Sequence, residues 1–236
     1  MRPFNPKMHL KSGRHRPDLI KLWPLLCGFA ETRITIATME TPIHNYHADA
    51  LRTFRSYKSL AEGALGQISE EEFFAQLDPE SNSVALLVKH LAGNMHSRWH
   101  DFLTSDGEKP DRDRDTEFEI IGDTRDGLME YWETGWQTLF SNIEPLASDD
   151  FSHTITIRGE PHTVVEAINR QLTHYAYHIG QIVFLAKHFR SSFWKTLSVP
   201  KNRSAAFNEF LAERQALGLT RIDRSDVSEE FAQREK

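Results

Sequence analysis

Two histidines four residues apart, His174 and His178, stand in the stretch Asn169-Arg-Gln-Leu-Thr-His-Tyr-Ala-Tyr-His-Ile-Gly-Gln-Ile182. On a helix that spacing stacks both imidazoles on one face, where they can bind one ion. At about 100° per residue, His178 falls about 40° from His174, and Gln171 about 60° from it. The apolar residues Val164, Ile168, Ile179, Ile182 and Ala186 cluster between about 80° and 140° on the same wheel. The pair therefore borders a buried stripe and looks into a helical assembly, where bundles build their metal sites.

Spacing alone does not select this pair, because His96 and His100 repeat it. The helix expected over 84–103 separates the two cases. Its apolar stripe holds Leu87, Leu91, Val84, Phe102, Met95 and Val88, and His90 sits on the flank of that stripe with Asn94 and Arg98 beside it. His96 and His100 point away, as expected of a solvated face. Arg98, bordering a core, needs an acidic partner or a bound anion.

The elements that must position these residues are legible from periodicity and caps. A first helix is expected over 47–65, with Leu51, Phe54, Tyr57, Leu60 and Leu65 at helical spacing. Ser69 and Glu72 make a capping box for a short helix through Phe73, Phe74 and Leu77. Pro79 and Ser81-Asn82-Ser83 break the chain before the helix carrying His90. The polar run 104–122, with its Asp/Arg alternation, reads as a solvated, self-paired loop long enough to wall a site. A third long helix follows over 125–143, capped by Asp123 or Thr124 and closed before Pro145, with Gly127 and Gly135 weakening it. Residues 151–157 alternate with period two, and Arg158-Gly-Glu-Pro161 supplies a turn, giving a small β-hairpin. His153 and His162 there read as exposed. The fourth long helix, over 164–189, carries His174 and His178, with His188 on its surface. A short helix through Phe207, Phe210 and Leu211 precedes a polar, disordered tail. The fold class is all-α, a four-helix bundle with a β-hairpin inserted before the fourth long helix.

Composition bounds the function. The 236 residues are 39% hydrophobic and 11% aromatic, enough for one packed domain. A net charge of −6 excludes general nucleic-acid binding, which needs a basic face. The single cysteine, Cys27, rules out an internal disulfide or a cysteine-rich zinc site. No apolar run is long enough to span a membrane, and the chain is placed in the cytoplasm. Residues 1–38 carry a net +5 against −11 for the remainder. Their run Leu22-Trp-Pro-Leu-Leu-Cys-Gly-Phe-Ala30 has the outline of a signal peptide, but Pro24 interrupts it and Asp18 and Lys21 crowd its front. They read as a disordered leader, or as the product of an upstream start codon with the natural chain beginning at Met39. The bundle domain is then 39–218 and the polar tail 219–236. No glycine-rich phosphate loop, no Gly-x-Ser-x-Gly elbow and no internal repeat is present.

Several stretches carry a family resemblance: His90-Leu-Ala-Gly-Asn94 with Arg98, Leu103-Thr-Ser-Asp-Gly-Glu-Lys-Pro110, Arg112-Asp-Arg114 with Glu117-Phe118, Ile157-Arg-Gly-Glu-Pro161, the segment 169–182, and Trp194-Lys-Thr-Leu-Ser198. Over about residues 40–208 the chain resembles the DinB/YfiT-like superfamily, and within it an uncharacterised domain-of-unknown-function branch. That resemblance implies a four-helix bundle holding a divalent metal, zinc or nickel, on His90, His174 and His178. Relatives in the superfamily include low-molecular-weight-thiol S-transferases, so a thiol enters as an implied co-substrate.

Three neutral imidazoles with an open fourth position suit a catalytic metal rather than a structural one. The leading expectation is a metal-dependent enzyme acting on a small molecule, a thiol S-transferase ahead of a hydrolase. The alternatives are a non-catalytic metal clamp or interaction module, and a metal-free bundle with histidines satisfied in its core. Asn94, Arg98, Gln171 and Gln181 are candidates for orienting the ligands or anchoring substrate; each has core hydrogen bonding as its plainer role. No general base is identified. Pairing through exposed helix faces would give a homodimer.

Overall fold

The computed structural model describes residues 42–219 together with Glu230, Phe231 and Arg234. The leader 1–38 and most of the tail 219–236 lie outside the described residues, so the expectations placed on them are not addressed. Six α-helices and one two-stranded antiparallel sheet occur among the described residues: α1 (Pro42–Leu65), α2 (Glu70–Phe74), α3 (Val84–Trp99), α4 (Arg125–Ile143), β1 (Thr154–Ile157), β2 (Glu160–Thr163), α5 (Val164–Arg190) and α6 (Ser204–Ala216).

Local chemistry sets most of the boundaries. Ser69 and Glu72 close a reciprocal capping box on α2, and Thr163 with Glu166 does the same for α5. Ser83 caps α3 by accepting the Leu86 N–H, and Thr124 caps α4 by accepting that of Gly127. Three ends differ from expectation. α1 begins at Pro42 rather than near residue 47, because proline is tolerated in a first turn where the missing N–H has no partner to lose. α2 stops at Phe74, short of Leu77. α3 ends at Trp99 rather than Leu103, since Asp101 takes a left-handed φ of 46° that no α-helix can contain.

α3 is the central element. Every residue of it except Lys89 and His96 is buried, and it packs on α4, α5 and α2. Its interface with α4 is the most extensive, and Gly135 permits it: a Cβ there would lie 3.3 Å from the Ala92 backbone. His96 consequently does not face solvent. It is half-buried between α3 and α4, stacked on Tyr131 and bonded to the hydroxyls of Thr134 and Thr138, while His100 is exposed. α1 covers α5 on the other side, and its Phe54 meets the rings of Trp99, Trp136 and Tyr175 from the three other long helices.

The hairpin turns through Arg158 and Gly159, both at positive φ (57° and 75°), the signature of a tight primed turn; Pro161 lies inside β2 rather than in the turn. The polar loop between α3 and α4 is docked on it. Asp106 accepts the backbone N–H groups of Arg158 and Gly159, both at 2.8 Å, and Gly107 donates to the Thr156 carbonyl at 2.8 Å. That loop is therefore not simply a solvated, self-paired segment. Phe231 packs with Phe207 and Phe210 in a separate small cluster. No helix among the described residues is long and apolar enough to cross a membrane.

Because Phe54 is fully buried and joins four helices, truncating it removes one ring from every interface at once. Phe54→Ala is expected to cost about 3–5 kcal/mol of unfolding free energy in urea titration, the range for a buried aromatic. A loss below about 1 kcal/mol would mean that the helices do not share this core.

Candidate metal centre

The three flank histidines converge. His90 from α3 and His174 and His178 from α5 present nitrogens that all lie within 4.8 Å of one another. His90 Nε2 is 3.2 Å from His174 Nε2. His90 is buried, whereas His174 and His178 are half-buried, so the cluster is enclosed on the α3 side and accessible on the other.

What lies behind each ring decides which nitrogens face inward. His90 Nδ1 meets Glu117 Oε2 at 2.8 Å, His178 Nδ1 meets Gln181 Oε1 at 2.8 Å, and His174 Nδ1 meets Gln171 Oε1 at 3.4 Å. Each of these oxygens can only accept, so each Nδ1 must carry the proton. The Nε2 atoms are then bare lone pairs, and those of His90 and His174 lie 3.2 Å apart. A proton on His174 or His178 would leave a charged imidazolium in the cluster, and the surroundings of those two rings resist that. Burial lowers the His174 pKa to about 3, with help from His178, His90, Arg98 and Arg112, and burial likewise lowers that of His178. A divalent cation would join all three nitrogens at once. Tetrahedral zinc with bonds of about 2.0–2.1 Å sets its donors about 3.3–3.4 Å apart, close to the separation found between His90 and His174. The residues present fit a divalent ion held by imidazole nitrogen.

Glu117 was not among the candidates read from sequence. It comes from a single 3-10 turn, Thr116–Phe118, in the loop between α3 and α4, and is 6% exposed. Two features hold it there. Arg112 grips both carboxylate oxygens, Nε to Oε1 at 2.7 Å and NH2 to Oε2 at 2.9 Å. Gly93 clears its path, since a Cβ at that position would sit 2.4 Å from Glu117 Oε1. Burial pushes the Glu117 pKa up, but the hydrogen bonds from His90 and Arg112 outweigh it and keep the carboxyl below its usual range. The sequence signal was a glycine one turn after His90 on the same helix face.

The remaining candidates divide. Gln171 and Gln181 stand behind His174 and His178. Asn94 instead accepts a hydrogen bond from the Tyr175 hydroxyl at 3.2 Å, and that oxygen accepts from Trp99 Nε1 at 3.1 Å, a core contact. Arg98 turns to the loop, donating to the Gly107 carbonyl and pairing with Glu108 at 2.7 Å. Glu108 also binds Arg112 and Arg158, and although burial opposes it, these arginines bring its pKa down to about 2. An ion-pair chain thus runs from the hairpin through the loop to His90.

Residues 42–203 match a family described as a protein of unknown function, DUF1572. The chain belongs to that family. No curated protein matches it closely. His90, His174 and His178 of this DUF1572 protein, and Glu117 with its supporting arginine, fall inside the matched segment.

The metal-free DUF1572 fold should be acid-sensitive in a defined direction. Between about pH 6.5 and about 3 an unfolded His174 takes up a proton that the folded one refuses, so stability falls as pH falls through that window. Chemical denaturation of metal-free protein at pH 7 and pH 5 should show the loss, and His174→Gln should reduce it. An equal loss in the variant would assign the sensitivity elsewhere.

Proposed function

We propose that this protein is a divalent-metal-dependent enzyme of the DinB/YfiT type, in which α1, α3, α4 and α5 form the four-helix bundle and His90, His174 and His178 hold zinc or nickel. The observation that carries this reading is the convergence of a ring nitrogen from each of three histidines, whose Nδ1 atoms already face accepting oxygens. The exposure of His174 and His178 favours a site open to a small substrate over a closed structural clamp.

Bound there, the ion supplies Lewis acidity that brings a thiol or water toward its nucleophilic, deprotonated form. The chain's residues have distinct duties. Glu117 fixes the His90 tautomer and, being anionic, raises that ring's donor strength; Gln171 and Gln181 orient the other two rings without adding charge. Transfer of a low-molecular-weight thiol is the first reaction class to test, with hydrolysis second. The superfamily resemblance supports that order. The same reading places the protein in the cytoplasm as a homodimer built on a domain spanning 39–218.

Elemental analysis of untagged protein should find about one zinc or nickel per chain, and His90→Ala, His174→Ala and His178→Ala should each lose it. An unaltered metal content in any of the three would remove that histidine from the site. Glu117→Gln keeps the shape but not the charge, and should weaken zinc retention about 10- to 100-fold in a chelator competition. Unchanged retention would mean that the carboxylate does not act through His90. Screening the loaded protein with thiol acceptors and with amide and ester substrates then separates transfer from hydrolysis.

A further inference from the structure

Beside the histidine cluster, one ring removed from His90, lies a cation that no carboxylate among the described residues pairs with. Arg112 and Arg98, the two arginines buried beside the site, are matched by Glu117 and Glu108. Arg114 is different. It is exposed, and no carboxylate among the described residues pairs with it, although Asp111, Asp113 and Asp115 alternate around it. Asp113 is occupied, accepting the backbone N–H groups of Asp115 and Thr116.

Arg114 nonetheless packs one ring away from the cluster. Its guanidinium lies 5.3 Å from the centre of the Phe118 ring, and that ring lies 4.8 Å from the ring of His90. Tyr177 is 64% exposed, with its ring 4.8 Å from that of His178. Phe118 and Tyr177 set aromatic rings against two of the three histidines, and Arg114 adds an exposed fork of donors beside Phe118.

The charge balance points the same way. Three imidazoles are neutral ligands and the buried carboxylates are already paired, so a divalent ion in this site is not compensated by the protein. A substrate that brings negative charge satisfies both the ion and Arg114. We infer that Arg114 is the docking residue for a small substrate carrying an oxyanion, whose reacting atom meets the metal while its acidic group is held in the guanidinium fork. This inference rests on the metal reading above and deepens it by naming a substrate class.

Cobalt-loaded protein tests it without any assay of turnover. A thiol probe reaching the metal produces a sulfur-to-cobalt charge-transfer band, whose titration gives a dissociation constant. The probes are 3-mercaptopropionate, its phosphonate counterpart 2-mercaptoethylphosphonate, and the neutral 3-mercaptopropionamide. The parent should bind an acidic probe about tenfold more tightly than the amide, the scale of one charge-assisted pair at a partly exposed position. Carboxylate and phosphonate together show which oxyanion fits. Arg114→Gln should abolish the preference while leaving the cobalt d–d bands intact, and Arg114→Lys should keep part of it. Equal binding of acid and amide by the parent, or a preference that survives Arg114→Gln, overturns the inference and leaves the metal site standing. Absence of cobalt d–d bands in the parent overturns the metal reading, and the inference with it.

Discussion

Three imidazole nitrogens brought within a few ångströms of one another are the constraint on which this structure turns. Lone pairs so placed repel unless a cation joins them or a shared proton bridges them. The protein enforces the arrangement from behind, by giving each Nδ1 an oxygen that can only accept. Two of the three anchors are neutral amides on the same helix as their histidines, one turn away. The third is a carboxylate delivered from a different part of the chain. The asymmetry matters: only His90 is backed by a negative charge, and only His90 is fully buried.

Delivering that carboxylate involves much of the small architecture. Glu117 depends on Arg112, Arg112 shares Glu108 with Arg98 and Arg158, and Arg158 belongs to the turn of the hairpin. Asp106 ties the loop to the same turn through two backbone N–H groups. The hairpin also leads directly into the Thr163 capping box that starts α5, the helix bearing His174 and His178. One short insertion thus sets both the entry of α5 and the position of the loop that holds His90. Among the described residues the buried charged side chains are paired, which is the condition under which such burial is tolerated.

The histidines were readable in advance because their placement is a matter of helical phase: ligands on the flank of an apolar stripe announce themselves in the spacing. Gln171 and Gln181 share that logic, standing three residues from the histidines they hold. Glu117 obeys no such rule. It approaches from a loop 27 residues along the chain, on one 3-10 turn, through a gap left by Gly93. Periodicity has nothing to say about such an approach. The Asp/Arg alternation around it resembles an ordinary solvated run, and half of it is one: Asp113, Arg114 and Asp115 are exposed, while the Arg112 side chain and Glu117 turn inward. His96 shows the opposite failure. A wheel with one apolar stripe assigns the other face to water, but α3 is enclosed on nearly all sides, so its second face packs on α4. Asn94 sits on the same flank as His90 and yet serves Tyr175, because phase gives a direction and not a partner.

X-ray absorption at the metal edge of protein purified with its native ion tests the central claim most directly. Three imidazole nitrogens at about 2.0–2.1 Å, with at least one further light scatterer for the open position, is the shell this account predicts. A shell dominated by carboxylate oxygen or sulfur, or an edge no stronger than buffer, would contradict it.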